Sequence, residues 1–311
     1  EVIAEVPPEL RHPILYLPIE ASSPATLWLM RRAKLPRATP DPRVGISTRT
    51  IPGADGATDI TVHVYEPHGR HAPTGALLWI HGGGYIMGSA EDYHANCAQY
   101  AHEAGILVVS VEYRLAPENP FPAGMHDCYA ALRWIHANAE GLGIDPQRIA
   151  VGGDSAGGGM TAAVVQYAHD RREVPVRFQL LVYPMLDDRT VAASGRPGHG
   201  VLIWNARSNR FAWSCYLGHD VGAMEPAPYA VPARRQDLSG LPAAWIGTGT
   251  LDLFHDEDVE YAERLREAGV ACELLDVKGM YHGGDTIPAA HSQVARDFTA
   301  ASIDALRRAL S

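Results

Sequence analysis

Short runs of apolar, often β-branched residues alternate with longer helix-like segments along most of the chain. The candidate strands are Ile60–Tyr65, Ala76–Ile80, Ile106–Glu112, Ile149–Gly152, Phe178–Tyr183, Ala244–Gly247 and Cys272–Val277. The candidate helices are Ala90–Glu103, Met125–Asn138, Gly158–His169, Asp256–Ala268 and Ser292–Leu310. Several strands are apolar on successive residues, as strands covered on both faces are. The alternation predicts an α/β fold with a mostly parallel central sheet flanked by helices.

Two stretches do not follow this alternation. Residues 1–43 contain an amphipathic segment around Ala25–Lys34, and residues 187–241 form an insertion rich in Gly, Pro and aromatic residues. An insertion of that length in a compact domain is expected to carry helices of its own. We therefore expect a core of residues 44–186 and 242–311 and a helical lid formed by the insertion of residues 187–241. The alternative is that the insertion is a surface segment that covers no functional site.

Composition excludes several classes of protein. The 311 residues include 36 acidic and 26 basic side chains, a formal charge of −10, whereas a nucleic-acid binder needs a basic surface. No apolar run approaches the ~18 residues of a membrane helix, so we expect no integral membrane contact. The first residues lack the basic start of a signal peptide. Four cysteines without a C-x-x-C pair indicate a reduced, cytoplasmic protein.

Fifteen histidines raise the question of a metal site. The chain has no H-E-x-x-H motif, and His68 and His71 lie in a Pro- and Gly-rich segment without a nearby carboxylate. The sequence therefore predicts neither a metal nor a cofactor.

The strongest motif is G-x-S-x-G, formed by Gly153, Ser155 and Gly157 between an apolar strand and a helix of small residues. A sharp strand-to-helix turn raises the serine hydroxyl above the sheet, and glycines let the neighbouring backbone pack closely. The start of the following helix stabilises negative charge. A glycine-rich helix start without chemistry is the alternative, but the context favours Ser155 as a nucleophile.

A second motif, His81-Gly82-Gly83-Gly84, follows the candidate strand Ala76–Ile80. Loops of this kind supply an oxyanion hole, because glycines can turn their backbone amides toward a substrate without obstruction. A phosphate-binding loop is the competing interpretation, but neither G-x-x-x-x-G-K-[ST] nor G-x-G-x-x-G is present here. His81 itself is expected to be a structural hydrogen-bonding residue.

A serine nucleophile needs a base, and the base needs an acid to orient it. Asp252 follows the candidate strand Ala244–Gly247 and is the preferred acid. Asp256 and Glu257 start the next helix, where they suit its positive end. His282, in a glycine-flanked loop after Cys272–Val277, is preferred as the base over His291, for which a surface role is expected.

The chain resembles the hormone-sensitive-lipase-like α/β-hydrolases, which include the bacterial family IV carboxylesterases. The resemblance depends on His81–Gly84, on Gly153–Gly158 and on the segment Val111–Ala123, which reads VEYRLAPENPFPA. It also includes Tyr229–Pro232 and Asp256-Glu257, and it extends from about residue 45 to the C-terminus. Two positions depart from the family pattern: Asp252-Leu253-Phe254 replaces D-P-L, and Gly283-Gly284-Asp285 follows the histidine.

The resemblance implies an α/β-hydrolase fold, no cofactor, and oxyanion donors at the amides of Gly83, Gly84 and Ala156. It also implies a lid built from residues 1–43 together with residues 187–241. It implies hydrolysis of short-to-medium acyl esters by Ser155, Asp252 and His282 through an acyl-serine. A small-molecule ester is the expected substrate, and pairing of two copies through the last strand is an expectation by analogy. Two rival functions are an amidase or deacetylase of small acylated molecules and a non-catalytic ligand-binding homologue. A binding protein would not need Ser155, Asp252 and His282 together, so the presence of all three favours an enzyme.

Overall fold

In the computed structural model, residues 2–17, 20–33, 37–54, 56, 58–190, 200–286 and 292–311 are described. Eight strands form one central sheet. They are β1 Val44–Pro52, β2 Asp59–Pro67, β3 Thr74–Ile80, β4 Leu107–Val111, β5 Ile144–Asp154, β6 Phe178–Val182, β7 Ala243–Gly249 and β8 Cys272–Val277.

The sheet has the strand order β1-β2-β4-β3-β5-β6-β7-β8. The pairs β1/β2 and β2/β4 are antiparallel, and the six strands from β4 to β8 in this order are parallel. The prediction of a mostly parallel sheet is therefore confirmed.

Helices lie between the strands and cover both faces of the sheet. Over the described residues they are α1 Val2–Glu5, α2 Pro24–Arg32, α3 His94–Ala104, α4 Ala123–Ala137, α5 Ala139–Leu142, α6 Ala156–Arg171, α7 Ala206–Leu217, α8 His255–Glu267 and α9 Gln293–Leu310. The ends of α8 follow helix electrostatics, since three acidic residues occupy its first turn and two arginines its last. No helix among these combines the length and apolar content that crossing a bilayer requires.

The burial of strand β3 explains why its sequence is apolar at each position from Ala76 to Ile80. Ala76, Leu78 and Ile80 face one buried cluster, and the alternate residues Leu77 and Trp79 face another on the opposite side of the sheet. Successive strand side chains point to opposite faces, so a strand covered on both sides must be apolar throughout.

The sequence analysis did not predict strand β1. Five consecutive residues of β1, from 46 to 50, are exposed, so its edge position leaves little of the apolar signal that marks a buried strand. Strand β5 begins at Ile144, earlier than the predicted Ile149. The sequence analysis missed this part because residues 145–148 are partly buried or exposed and lack the apolar run that marks a buried strand.

The topology gathers the motif residues at one edge of the sheet. His81, Ser155, Asp252 and His282 all follow the carboxyl ends of parallel strands, namely β3, β5, β7 and β8 in that order. Ligand sites of open α/β sheets lie at this edge.

Candidate active site

Ser155 occupies a strained turn between β5 and α6. Its backbone has φ 54° and ψ −121°, a conformation that few non-glycine residues adopt. A Cβ atom on either Gly153 or Gly157 would collide with the carbonyl oxygen of Ile80, so both flanking glycines are sterically required. The predicted strand–turn–helix setting of the G-x-S-x-G motif is thus present.

The three side chains singled out as nucleophile, base and acid form one hydrogen-bonded line. Ser155 Oγ lies 2.9 Å from His282 Nε2, and His282 Nδ1 lies 2.8 Å from Asp252 Oδ2. All three residues are buried, with Asp252 only 1% exposed. These distances permit a proton to pass from the hydroxyl to the imidazole.

The carboxylate of Asp252 is fixed from a second direction. Its other oxygen, Oδ1, accepts a hydrogen bond of 2.9 Å from the backbone amide of Phe254. The ring of Phe254 in turn packs edge-on against His282, at 5.1 Å between centroids. Both neighbours of the imidazole therefore come from the loop that follows β7.

The environment of His282 favours its protonated form. Burial acts to lower the pKa of His282, but the charge of Asp252 and its hydrogen bond outweigh burial, so the pKa lies above its usual value. A buried imidazolium would otherwise be costly, and a carboxylate at 2.8 Å stabilises it.

The loop after β3 lies against the turn that carries Ser155, since a Cβ atom on Gly82 would be 3.1 Å from the backbone oxygen of Asp154. Gly83 has φ 114°, and its carbonyl oxygen accepts hydrogen bonds from the amides of Ile86 and Met87. Among the described residues, none accepts a hydrogen bond from the amides of Gly83, Gly84 or Ala156. Ala156 is the first residue of α6, so its amide belongs to the positive end of that helix.

His81 is held within this loop. It is fully buried, its Nδ1 lies 2.8 Å from the carbonyl oxygen of Gly82, and its ring stacks on Tyr113 at 4.3 Å. Burial lowers the pKa of His81, which keeps the ring neutral. The contacts match the structural role expected for it.

The competing candidates have other partners. Asp256 Oδ1 lies 2.8 Å from His255 Nδ1, and Glu257 accepts the amide of Leu186 at 2.6 Å. His291 lies outside the described residues. Within the described part of the chain, no group of three or more His, Cys, Asp or Glu side chains could hold a metal ion.

Sequence reasoning missed Tyr93, which lies outside the motifs and supports the site through hydrogen bonds. Tyr93 donates to Asp154 Oδ2 at 2.7 Å, and its hydroxyl oxygen accepts the amide of Gly82 at 3.3 Å. Burial raises the pKa of Asp154 to about 7, although the Tyr93 hydrogen bond acts in the opposite direction. Asp154 is part of the serine motif, so its position next to the nucleophile was predictable. No sequence pattern predicts its contact with Tyr93, which lies 61 positions away.

Comparison with known proteins places the chain among hydrolases. A family model described as the α/β-hydrolase fold matches residues 77–285. Carboxylesterase NlhH of Mycobacterium tuberculosis is 40% identical over 276 residues, covering 86% of this chain and 84% of that protein. Ethyl acetate hydrolase of Pseudomonas putida is 35% identical over 245 residues, with 76% and 74% covered. The structure of a bacterial heroin esterase superimposes with a TM-score of 0.87 at 37% identity over all of both chains.

The chain belongs to the α/β-hydrolase family, because the family model spans well over half of its length. Within that family it is a member of the hormone-sensitive-lipase-like group that its motifs resemble. The predicted fold class and family are both confirmed.

Proposed function

We propose that this protein is a serine carboxylesterase that cleaves short-to-medium acyl esters through an acyl-serine intermediate. The observation that carries the proposal is the line of contacts from Ser155 Oγ to His282 Nε2 and from His282 Nδ1 to Asp252, at 2.9 and 2.8 Å. A hydroxyl in direct contact with an oriented imidazole is the arrangement that nucleophilic acyl transfer requires.

In the first half-reaction, Ser155 Oγ attacks the ester carbonyl carbon while His282 Nε2 takes the hydroxyl proton. The carbonyl π electrons move onto oxygen, which gives a tetrahedral alkoxide. When the alkoxide collapses, the bond to the alcohol oxygen breaks and His282 returns its proton to that oxygen. Asp252 holds the imidazole in the required tautomer and stabilises its cationic form.

In the second half-reaction, a water molecule takes the place of the departed alcohol. His282 accepts a proton from this water as its oxygen attacks the acyl carbon. The second tetrahedral intermediate then releases the carboxylic acid, and the proton passes from His282 to Ser155 Oγ. The free enzyme is regenerated with one ester and one water consumed.

The negative oxygen of both intermediates needs donors that are already oriented. We assign this role to the amides of Gly83, Gly84 and Ala156, whose hydrogen atoms meet no acceptor among the described residues. Removal of one such donor costs on the order of a hundredfold in rate in related chemistry.

We further propose that residues 1–43 and 187–241 form a lid over the site. Trp204 in the insertion packs against Gly84, and Ser208 Oγ accepts the amide of Ala21 at 3.1 Å, which joins the two regions. Arg31 then ties α2 to the core through Glu118 and the carbonyl oxygens of Ile86 and Ala116.

Ser155→Ala tests the assignment. We expect loss of p-nitrophenyl butyrate hydrolysis by at least about 10⁴-fold and loss of labelling by a fluorophosphonate, with an unchanged melting temperature. Ser239→Ala, at an exposed serine, is the matched control. Retention of most of the hydrolysis by Ser155→Ala would overturn the proposal. Faster cleavage of anilides than of matched esters would instead favour an amidase.

A cytoplasmic location and a homodimer are part of the same proposal. All four cysteines are unpaired, as suits a reducing compartment. Among the described strands β8 pairs with β7 alone, so its other edge is available to a second copy. Cell fractionation and sedimentation velocity test the two statements, and a monomer at micromolar concentration would exclude the dimer.

A further inference from the structure

Tyr183 holds a strained position directly behind the catalytic imidazole. It follows β6 with φ 34°, and its amide donates to the carbonyl oxygen of Gly247 at 2.7 Å. Its ring meets that of His282 edge-on, with 4.9 Å between centroids and an interplanar angle of 68°. Positive φ in a bulky residue is unfavourable and persists where surrounding contacts enforce it.

The hydroxyl of Tyr183 is anchored by a buried carboxylate. It donates to Asp285 Oδ1 at 2.8 Å, and Asp285 is 9% exposed. Asp285 lies three residues after His282, in a loop closed by hydrogen bonds from Gly284 to Tyr281 and from Thr286 to Gly283. Asp285 belongs to the segment Gly283-Gly284-Asp285, in which the chain departs from the family pattern, so the family motif assigns it no role.

We propose that Asp285 is a positioning residue that acts through Tyr183 to orient the imidazole of His282 and adds a second carboxylate charge beside it. The inference depends on the proposed function of His282 as the base. It assigns to Asp285 an effect on the base rather than any contact with substrate.

The charges around His282 support this role. Asp252, Asp154 and Asp285 each raise the pKa of His282 by their negative charge. The titratable groups that face His282 and Asp285 from the surrounding segments are Asp252, Asp154, Tyr183, Tyr281 and Tyr100. The three tyrosines stay neutral, because burial raises their pKa values.

The two additional aspartates differ in their protonation. Burial raises the pKa of Asp154 to about 7, so Asp154 is largely protonated in mildly acidic solution. Burial also raises the pKa of Asp285, but the hydrogen bond from Tyr183 acts against this effect. The hydrogen bond from Tyr183 favours the ionised form of Asp285, which is the form whose charge acts on His282.

The pH profile of kcat/KM distinguishes this role from simple packing. Asp285→Asn keeps the size and the acceptor for Tyr183 but removes the charge, so the pKa of His282 falls. We expect the acid limb to move to lower pH by about half a pH unit or more. The exposed Asp297→Asn is the matched control and should leave the limb in place.

Tyr183→Phe is the second variant, and it keeps the test informative if Asp285→Asn does not fold. This variant keeps the aromatic ring but removes the hydroxyl that donates to Asp285, so Asp285 is protonated more easily. The acid limb of kcat/KM should therefore also move to lower pH, but by less than in Asp285→Asn. A downfield proton resonance for the His282–Asp252 hydrogen bond should change in both variants. If both variants are folded and active and their acid limbs are unchanged, the role of Asp285 is overturned while the proposed esterase function stands. An inactive wild-type protein would instead overturn the proposed function.

Discussion

The indole of Trp204 lies directly against the backbone of Gly84. A Cβ atom built on Gly84 would be 2.5 Å from Trp204 Cη2, and the indole is held in place by a hydrogen bond from its Nε1 to Asn209 Oδ1 at 3.1 Å. Asn209 in turn donates to the carbonyl oxygen of Thr190 at 3.1 Å. One wall beside the proposed oxyanion loop is therefore a fixed aromatic ring.

Trp204→Ala should widen the range of acyl chains that the enzyme accepts. Removing the indole opens space beside Gly84, and pocket contacts of this kind change selectivity by about 10- to 100-fold. We expect the kcat/KM ratio of p-nitrophenyl decanoate to butyrate to rise by about tenfold. Trp28→Ala, at an indole that is 58% exposed, is the control. An unchanged ratio would show that Trp204 does not bound the acyl site.

Gly84→Ala should lower kcat by about a hundredfold, the typical effect of a displaced oxyanion donor. Gly84 has φ 62°, where a side chain is strained, and the added methyl group collides with Trp204. The double variant Gly84→Ala with Trp204→Ala relieves the collision but not the backbone strain. Steady-state kinetics should therefore show partial recovery, and a double variant no better than Gly84→Ala would contradict the steric account.

The acid limb of kcat/KM should lie above pH 6.5, the ordinary range of a histidine side chain. His282 must be neutral to accept the serine proton, and its pKa is raised because the charge and hydrogen bond of Asp252 outweigh burial. Activity should therefore rise with pH through a value above 6.5. Stopped-assay measurements from pH 4.5 to 9 test this, and a midpoint below 6 would be incompatible with the arrangement.

Asp258→Asn should stabilise the protein at alkaline pH. Asp258 is fully buried, and neither carboxylate oxygen has a hydrogen-bond partner among the described residues, so burial raises its pKa well above the usual value. Folding therefore favours the protonated acid, and this contribution is present at low pH and is lost as pH rises through the raised pKa. Asparagine cannot ionise and avoids this loss.

The gain from Asp258→Asn in the free energy of unfolding should grow by up to about 1.4 kcal/mol per pH unit, from about pH 4, where the unfolded chain loses this proton, up to the raised pKa of the folded protein. It should therefore be clearly larger at pH 8 than at pH 5. Chemical denaturation at both pH values measures it, with the exposed Asp297→Asn as the control. Equal effects at the two pH values would mean that ionisation of Asp258 is not the cause.

The sequence was most informative for residues whose place in the fold is set by the strand that they follow. A β-strand followed by a small-residue loop places its next side chain at the carboxyl edge of a parallel sheet, which is how Ser155, Asp252 and His282 could be found. Tyr183 and Asp285 are 102 positions apart, and no local pattern predicts that they meet. Trp204 belongs to the aromatic-rich insertion that is predicted to form a lid, but its contact with Gly84 depends on how the insertion folds back.

Because the three groups of the proposed triad follow β5, β7 and β8, the chemistry exists only once the last strand has joined the sheet. A chain that stops before His282 would have the serine but no base to activate it. Hydrolytic activity is therefore also a measure of complete folding, and a protease cut that releases β8 together with the segment after it should abolish activity.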